Sequence, residues 1–251
     1  MGCLGALSVT LWFLGYPDQA LQRSAEALAM AHALSHPYSL ARVLVDAAYL
    51  YWFCREWVRL QEQAEALRAL AAAHGFAELY ARATYRYGLA LVKQGQIAEG
   101  LAQFHASMDT LQVMQSGDAQ ALRLAQLAEL YRCTRQPELG LQVLAAAMAA
   151  DTEERLDASG RYSIKGELLL LSPESDVHQA ECCFQQALLI ARRQSAKMPE
   201  LRAALCLSHL WQQQGKRAEA RQLLAQVYGW FSEGFETPDL QEARALLDEL
   251  A

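Results

Sequence analysis

Apolar residues recur three and four positions apart along this chain, in runs broken by short polar or glycine-bearing segments. That is the periodicity of amphipathic helices. The runs come in pairs, so each pair predicts a helical hairpin. The pairs themselves repeat: Ala20, Leu60, Gly100, Gly140, Ala180 and Ala220 stand at a constant interval of 40 residues. One structural unit is therefore written six times.

Each unit makes the same steric demand twice. In the first helix Ser8, Ala48, Gly88, Ala128 and Ser208 hold one small position, beside Leu7, Ala47, Tyr87, Leu127 and Leu207. In the second helix Ala20, Ser24 and Ala27 recur as Gly100, Phe104 and Ser107, as Gly140, Leu144 and Ala147, as Ala180, Phe184 and Ala187, and as Ala220, Leu224 and Val227. Small residues at fixed places let the paired backbones approach, while large neighbours fill the groove beside them. Gly15, Gly95 and Gly215 supply left-handed ends for three first helices. Arg55 and Arg135 replace that glycine in two units, which predicts turns of a different build. The fifth unit departs further. Ser172-Pro173-Glu174-Ser175-Asp176 fills its break and the small residue falls two positions early, at Gly166, predicting a longer first helix or an inserted loop.

The two ends differ. After the repeats of residues 1–236, Thr237 as N-cap, Pro238 and Asp239 open a last helix, with Leu240, Ala243, Leu246, Leu247 and Leu250 on one face. Residues 237–251 are thus expected to cap the array. In the first helix Leu4, Leu7, Leu11 and Leu14 alternate with Val9, Trp12 and Phe13 around the whole circumference. Such a helix is expected to be covered on every side, by an upstream domain, a partner or a second copy.

At 251 residues and 53% hydrophobic, rich in Ala and Leu and sparse in β-branched residues, the composition is that of stacked helices. A net charge of −6 argues against general nucleic-acid binding. Arg192, Arg193 and Lys197 sit at a predicted helix end, where cations offset the dipole. Six cysteines show no zinc-site spacing and suit small core positions in a reducing compartment; a redox pair at Cys182 and Cys183 is the alternative. No apolar run has membrane-spanning length, the start lacks a signal-peptide pattern, and Ala6 breaks a myristoylation signal, so the expected location is cytoplasmic and no membrane partner is expected.

Catalytic signatures are missing. Gly215-Lys216-Arg217 lacks the remainder of a phosphate-binding loop, and neither HExxH nor GxSxG occurs. His32 and His36 could share a helix face as metal ligands, but they adjoin Pro37 at a helix end without a third ligand; His105, His178 and His209 stand singly. The chain reads as noncatalytic, with no cofactor or metal.

Small residues near positions 8, 20 and 27 of each unit resemble the tetratricopeptide repeat (TPR); HEAT-type repeats are closer in length, but the spacing favours the former. The resemblance implies an all-α, right-handed α-solenoid of six TPR-like hairpins with a C-terminal capping helix. It also implies that positions 2, 5, 9, 12 and 13 of the first helices face a concave groove. Carried over, these are Trp12, Phe13, Arg42, Tyr49, Trp52, Phe53, Arg82, Tyr85, Lys93, Glu129, Arg132, His209 and Gln212. Aromatics and arginine dominate binding hot spots, and the set suits a peptide or helix carrying apolar anchors and carboxylates. Packing between neighbouring first helices is the alternative for Trp52 and Phe53.

From Tyr162 onward, Lys165-Gly166-Glu167-Leu168-Leu169-Leu170, Ala180-Glu181-Cys182-Cys183-Phe184-Gln185-Gln186-Ala187-Leu188, Tyr228-Gly229-Trp230-Phe231-Ser232-Glu233-Gly234-Phe235 and Thr237-Pro238-Asp239-Leu240 resemble the C-terminal TPR region of bacterial signalling proteins. Those proteins join an adenylate/guanylate cyclase domain, or another output domain, to an ATPase. This resemblance implies a regulatory or interaction scaffold whose partner is a protein or peptide, an upstream ATPase/cyclase domain, or a second copy bound through the first helix. A small-molecule effector sensor around Trp52, Tyr85 and Arg82 is the alternative. The chain contains neither a cyclase nor an ATPase core, so neither activity is assigned to it.

Overall fold

The computed structural model describes residues 2–113, 120–149, 157–173 and 176–251. Among them are thirteen helices and no strand. They run as α1 (Gly2–Leu14), α2 (Pro17–Leu34), α3 (Pro37–Phe53), α4 (Trp57–His74), α5 (Ala77–Lys93), α6 (Ile97–Val113), α7 (Gln120–Cys133), α8 (Pro137–Ala149), α9 (Ala158–Leu171), α10 (Val177–Arg193), α11 (Lys197–Gln213), α12 (Arg217–Tyr228) and α13 (Pro238–Glu249). The fold is an all-α helical-hairpin solenoid. Its residues group into two compact units, one of Met1–Trp12 with Tyr16–Asp118 and one of Phe13–Gly15 with Ala119–Ala251. In the first, helices from α2 to α6 pack successively and α3 also touches α5; in the second the same holds from α7 to α13, with α7 on α9, α9 on α11 and α11 on α13.

The forty-residue interval marks where backbones meet. Ala20, Leu60, Ala180 and Ala220 have no exposed surface, and Gly100 and Gly140 are buried. Between α5 and α6 the approach is backbone on backbone: a Cβ added to Gly88 would stand 2.5 Å from the Gly100 carbonyl oxygen, and one added to Gly100 would stand 2.6 Å from that of Gly88. In the last hairpin the Ser208 hydroxyl donates to the Ala220 carbonyl at 3.2 Å, so the same place carries a hydrogen bond.

A finer period governs the turns. Left-handed backbone occurs at Gly15, Ser35, Arg55, Gly75, Gly95, Arg135, Ser195 and Gly215, all on one twenty-residue grid, and at Gly234 off it. After each grid position, the next amide reaches back five residues: Tyr16 to Leu11, Glu56 to Tyr51, Phe76 to Ala71, Gln96 to Leu91, Gln136 to Tyr131, Ala196 to Ala191 and Lys216 to Trp211, at 2.8–2.9 Å; Ser35 is the exception. These bonds satisfy carbonyls that a helix end would otherwise strand. Arg55 and Arg135 therefore do not build different turns, as their identity suggested. They adopt the same left-handed geometry at φ 59° and 55°, at a cost of about 1–2 kcal/mol each relative to glycine.

In the fifth unit the break between α9 and α10 spans Ser172 to Asp176, two residues more than the three-residue breaks after α3, α5, α7 and α11. The departure is not a longer helix: α9 ends at Leu171, two residues short of where the forty-residue interval places the ends of α3, α5, α7 and α11, while α10 starts on that interval. Glu174 and Ser175 of the predicted break lie outside the described residues. Gly166 lies against the Phe184 ring, where a Cβ would overlap the ring carbons.

At the end of the chain, α13 packs on α11 and α12 and buries Leu240, Ala243 and Leu246, with Leu250 buried just beyond it. Thr237 stands at the N-cap position but does not cap: its hydroxyl donates backward to the Gly234 carbonyl at 2.6 Å. At the other end, α1 is covered on one side only within the described chain. Gly5, Ser8, Trp12 and Phe13 are buried, while Leu7 and Leu14 keep 42% and 39% of their surface. The described chain thus leaves uncovered the side on which Leu7 and Leu14 stand.

Candidate interaction face

Helices α3 and α5 lie side by side as successive first helices, and their helical spacing brings several predicted residues to one face. Arg42 is exposed; Tyr49, Trp52, Arg82 and Lys93 are half-buried. The Lys93 ammonium stands over the rings of Trp52 and Trp57, 5.6 and 5.3 Å from their centroids. Arg82 reaches Glu78 one turn earlier at 2.7 Å.

Four other predicted residues sit beneath the surface. Trp12, Phe13, Phe53 and Tyr85 are buried because their rings serve the packing of the hairpins. Phe53 stacks on Trp12 at 4.9 Å and meets Tyr49 edge-on at 5.6 Å, while Tyr85 meets Phe104 edge-on at 5.9 Å. Phe53 thus follows the packing alternative and Trp52 keeps an exposed side.

Two charged residues of the same region were not singled out from sequence. Arg86, only 2% exposed, lies with its guanidinium 4.8 Å from the ring centroids of both Tyr49 and Tyr85 and donates to the Arg82 carbonyl at 3.2 Å. Asp46 is half-buried on α3; burial pushes its carboxyl above the ordinary value against the opposing pull of Arg42 and Arg86. Both occupy position 6 of their units, which the transferred groove positions omit. An arginine and an aspartate within otherwise apolar helix faces were the available signal.

In the second unit the predicted residues are matched with partners. Arg132 donates two bonds of 2.7 Å to the Glu129 carboxylate and lies 3.5 Å from Glu167. The bonds to Glu129 hold its guanidinium charged, well above the usual range. His209 lies 3.6 Å from Glu242, and Gln212 donates to Glu249 at 3.2 Å. Both partners belong to α13, so that helix lies along the face these residues were expected to offer. Nearby, the Glu181 carboxylate accepts from the Trp211 indole at 2.8 Å and from the Gln214 amide at 3.3 Å, with Lys216 at 3.7 Å. Led by the indole bond, these hold the Glu181 carboxyl below its ordinary value.

Other candidates resolve simply. His36 caps α3, its ring accepting from the Ser39 amide. Cys182 is exposed, 3.9 Å from His178 Nδ1, and Cys183 is buried; both are free thiols. Among the described residues no group of three or more His, Cys, Asp or Glu is placed to hold a metal ion, and no helix is long and apolar enough to cross a membrane. A cavity of about 620 Å³ opens between α4, α5 and α6, lined by Ala71, Tyr80, Thr84, Gln103, Ser107 and Thr110 among others. By helical spacing Thr84 lies on the side of α5 away from Arg82 and Arg86, so this cavity is separate from the aromatic–cationic face.

No known family and no curated protein matches the chain. Solved structures do. The apo form of RapI is similar over 98% of this chain and 69% of its own, with 12% identity and a TM-score of 0.61. A putative kinesin light chain of Podospora anserina with nearly identical TPR-like repeats is similar over 86% of this chain and 98% of its own, with 16% identity and a TM-score of 0.52. At these identities the likeness is one of fold, and it places the chain among TPR-like helical-repeat structures.

Proposed function

We propose that this chain is a noncatalytic interaction scaffold that takes up a segment of a partner protein across the face of α3 and α5. One observation carries this: two adjacent first helices present Arg42, Tyr49, Trp52, Arg82 and Lys93 with accessible surface, aromatic and cationic groups of the kind that anchor partner chains. Tyr49 and Trp52 suit an apolar anchor and Arg42 suits a carboxylate, so the fitting partner is an acidic segment with bulky apolar residues. The resemblance of residues 162–240 to the tails of cyclase–ATPase proteins supports a cytoplasmic signalling setting in which the partner is the ATPase or cyclase core. Self-association through α1 draws support from exposed Leu7 and Leu14; light scattering giving a monomer mass at all concentrations would contradict it.

A small-molecule effector is the second proposal, favoured by the cavity between α4, α5 and α6, whose volume lies in the range of ligand pockets. A peptide-array screen separates the two. Wild type should capture acidic–apolar peptides, and Arg42→Glu with Trp52→Ala should lose them at unchanged melting temperature. Retention of every captured peptide by that variant would overturn the assignment of the face.

A further inference from the structure

Arg23, Arg82, Arg132, Arg161, Arg192 and Arg202 each lie within 4.0 Å of a carboxylate. Arg42, Asp46 and Arg86 make no such contact, nor do Arg59 and Arg68, whose cations lie over tyrosine rings. The first three stand close enough for both arginines to act on the Asp46 carboxyl, yet among the described residues none of them makes an ion pair at that range. Arg42 is exposed on α3, one turn before Asp46. Arg86 is fixed from below, flanked by Tyr49 and Tyr85, with a donor committed to the Arg82 carbonyl. Asp46 is closed in by α1, since a Cβ on Gly5 would overlap its carboxyl. Two cations and one anion thus share this region without an ion pair within 4.0 Å.

Charges removed from water and kept out of contact project their fields further than a neutralised pair does. An incoming carboxylate at Arg42 therefore meets the attraction of Arg42, the field of buried Arg86 and the repulsion of Asp46 together. Resting on the proposal that the α3–α5 face takes an acidic segment, we propose that Asp46 is a built-in competitor that weakens anion binding at Arg42 and so sets which acidic segments are accepted. Asp46 is a specificity-determining residue here, and neutralising it relaxes the selection.

Calorimetric titration tests this with two blocked peptides, hexaglutamate and hexaglutamine, at low salt, against wild type, Asp46→Asn and Asp46→Asn with Arg42→Gln. The near-isosteric amide keeps the shape of the site, and matched melting curves verify the fold. Asp46→Asn should bind hexaglutamate about tenfold more tightly than wild type, as expected for removing one like charge at close range. Hexaglutamine should bind none of the proteins measurably, and the double variant should fall back to wild-type affinity or below. Equal hexaglutamate affinity in wild type and Asp46→Asn would overturn the competitor role while leaving the acidic-segment face standing. A gain that survives in the double variant would show a general charge effect and would overturn it too. Failure of every variant to bind hexaglutamate would overturn the competitor role, while the face itself stands or falls separately with the acidic–apolar peptides of the array.

Discussion

The carboxylate of Asp239, buried at the start of α13, accepts two hydrogen bonds from the guanidinium of Arg202 on α11, at 2.9 and 2.7 Å. The pair pins the terminal helix across the first-helix face of the last hairpin, where His209 and Gln212 also meet α13. Removing one partner of a buried pair strands the other charge. Asp239→Ala should therefore cost about 3–5 kcal/mol of unfolding free energy, measured by denaturant titration. Hydrogen exchange should show α13 opening first. A loss below about 1 kcal/mol would mean that apolar packing alone holds the helix.

The twenty-residue grid of left-handed turns makes a prediction of opposite sign. Arg135 is exposed and pays for its φ of 55° with its own side chain. Arg135→Gly should raise stability by about 0.5–1 kcal/mol, strain relief outweighing the greater freedom of glycine in the unfolded chain. Gly95→Ala, at φ 90°, should lower it by a similar amount. A destabilised Arg135→Gly would show that the arginine side chain contributes more than its backbone strain.

Close backbone approach is tested at Gly88. A Cβ there meets the Gly100 carbonyl, backbone that cannot rotate away, so even alanine forces α5 and α6 apart. Gly88→Ala should cost about 1–3 kcal/mol in thermal or chemical unfolding. Gly75→Ala has open space around it, and its cost comes from positive φ alone.

Two carboxylates should shift stability with pH in opposite directions. Glu181 titrates below its ordinary value in the fold; its contribution is present above the unfolded carboxylate range and is lost as pH falls through the folded value. Trp211→Phe removes the leading bond and should flatten the acid limb of the stability profile. Asp46 titrates above its ordinary value, so the folded state carries a penalty that is full above the raised value and vanishes below the unfolded one. Asp46→Asn should stabilise at neutral pH and have no effect in acid. Parallel profiles for wild type and either variant would contradict the assigned partners.

The repeat was legible because sterics leave it little freedom: Ala20, Gly100, Gly140, Ala180 and Ala220 keep one place small, with Leu60 the exception. The turn grid was half hidden, since Ser35, Arg55, Arg135 and Ser195 adopt a conformation that glycine advertises and other residues do not. Of the transferred positions on α3 and α5, Arg42, Tyr49, Trp52, Arg82 and Lys93 keep accessible surface. The transfer could not separate these from Trp12, Phe53 and Tyr85, because an aromatic ring suits a groove and a helix interface equally well. Arg86 and Asp46 were missed because position 6 normally points inward, where a charge survives only with particular neighbours. In α1, hydrophobicity on every side implied a cover that the described chain supplies on one side.

The most direct test of the interaction face is hydrogen exchange on the full chain with and without a captured acidic–apolar peptide. Protection should concentrate in Arg42–Trp52 of α3 and Arg82–Lys93 of α5, and should vanish in Arg42→Glu with Trp52→Ala. Protection confined to the cavity around Tyr80, Gln103 and Thr110, or to α1, would contradict the account.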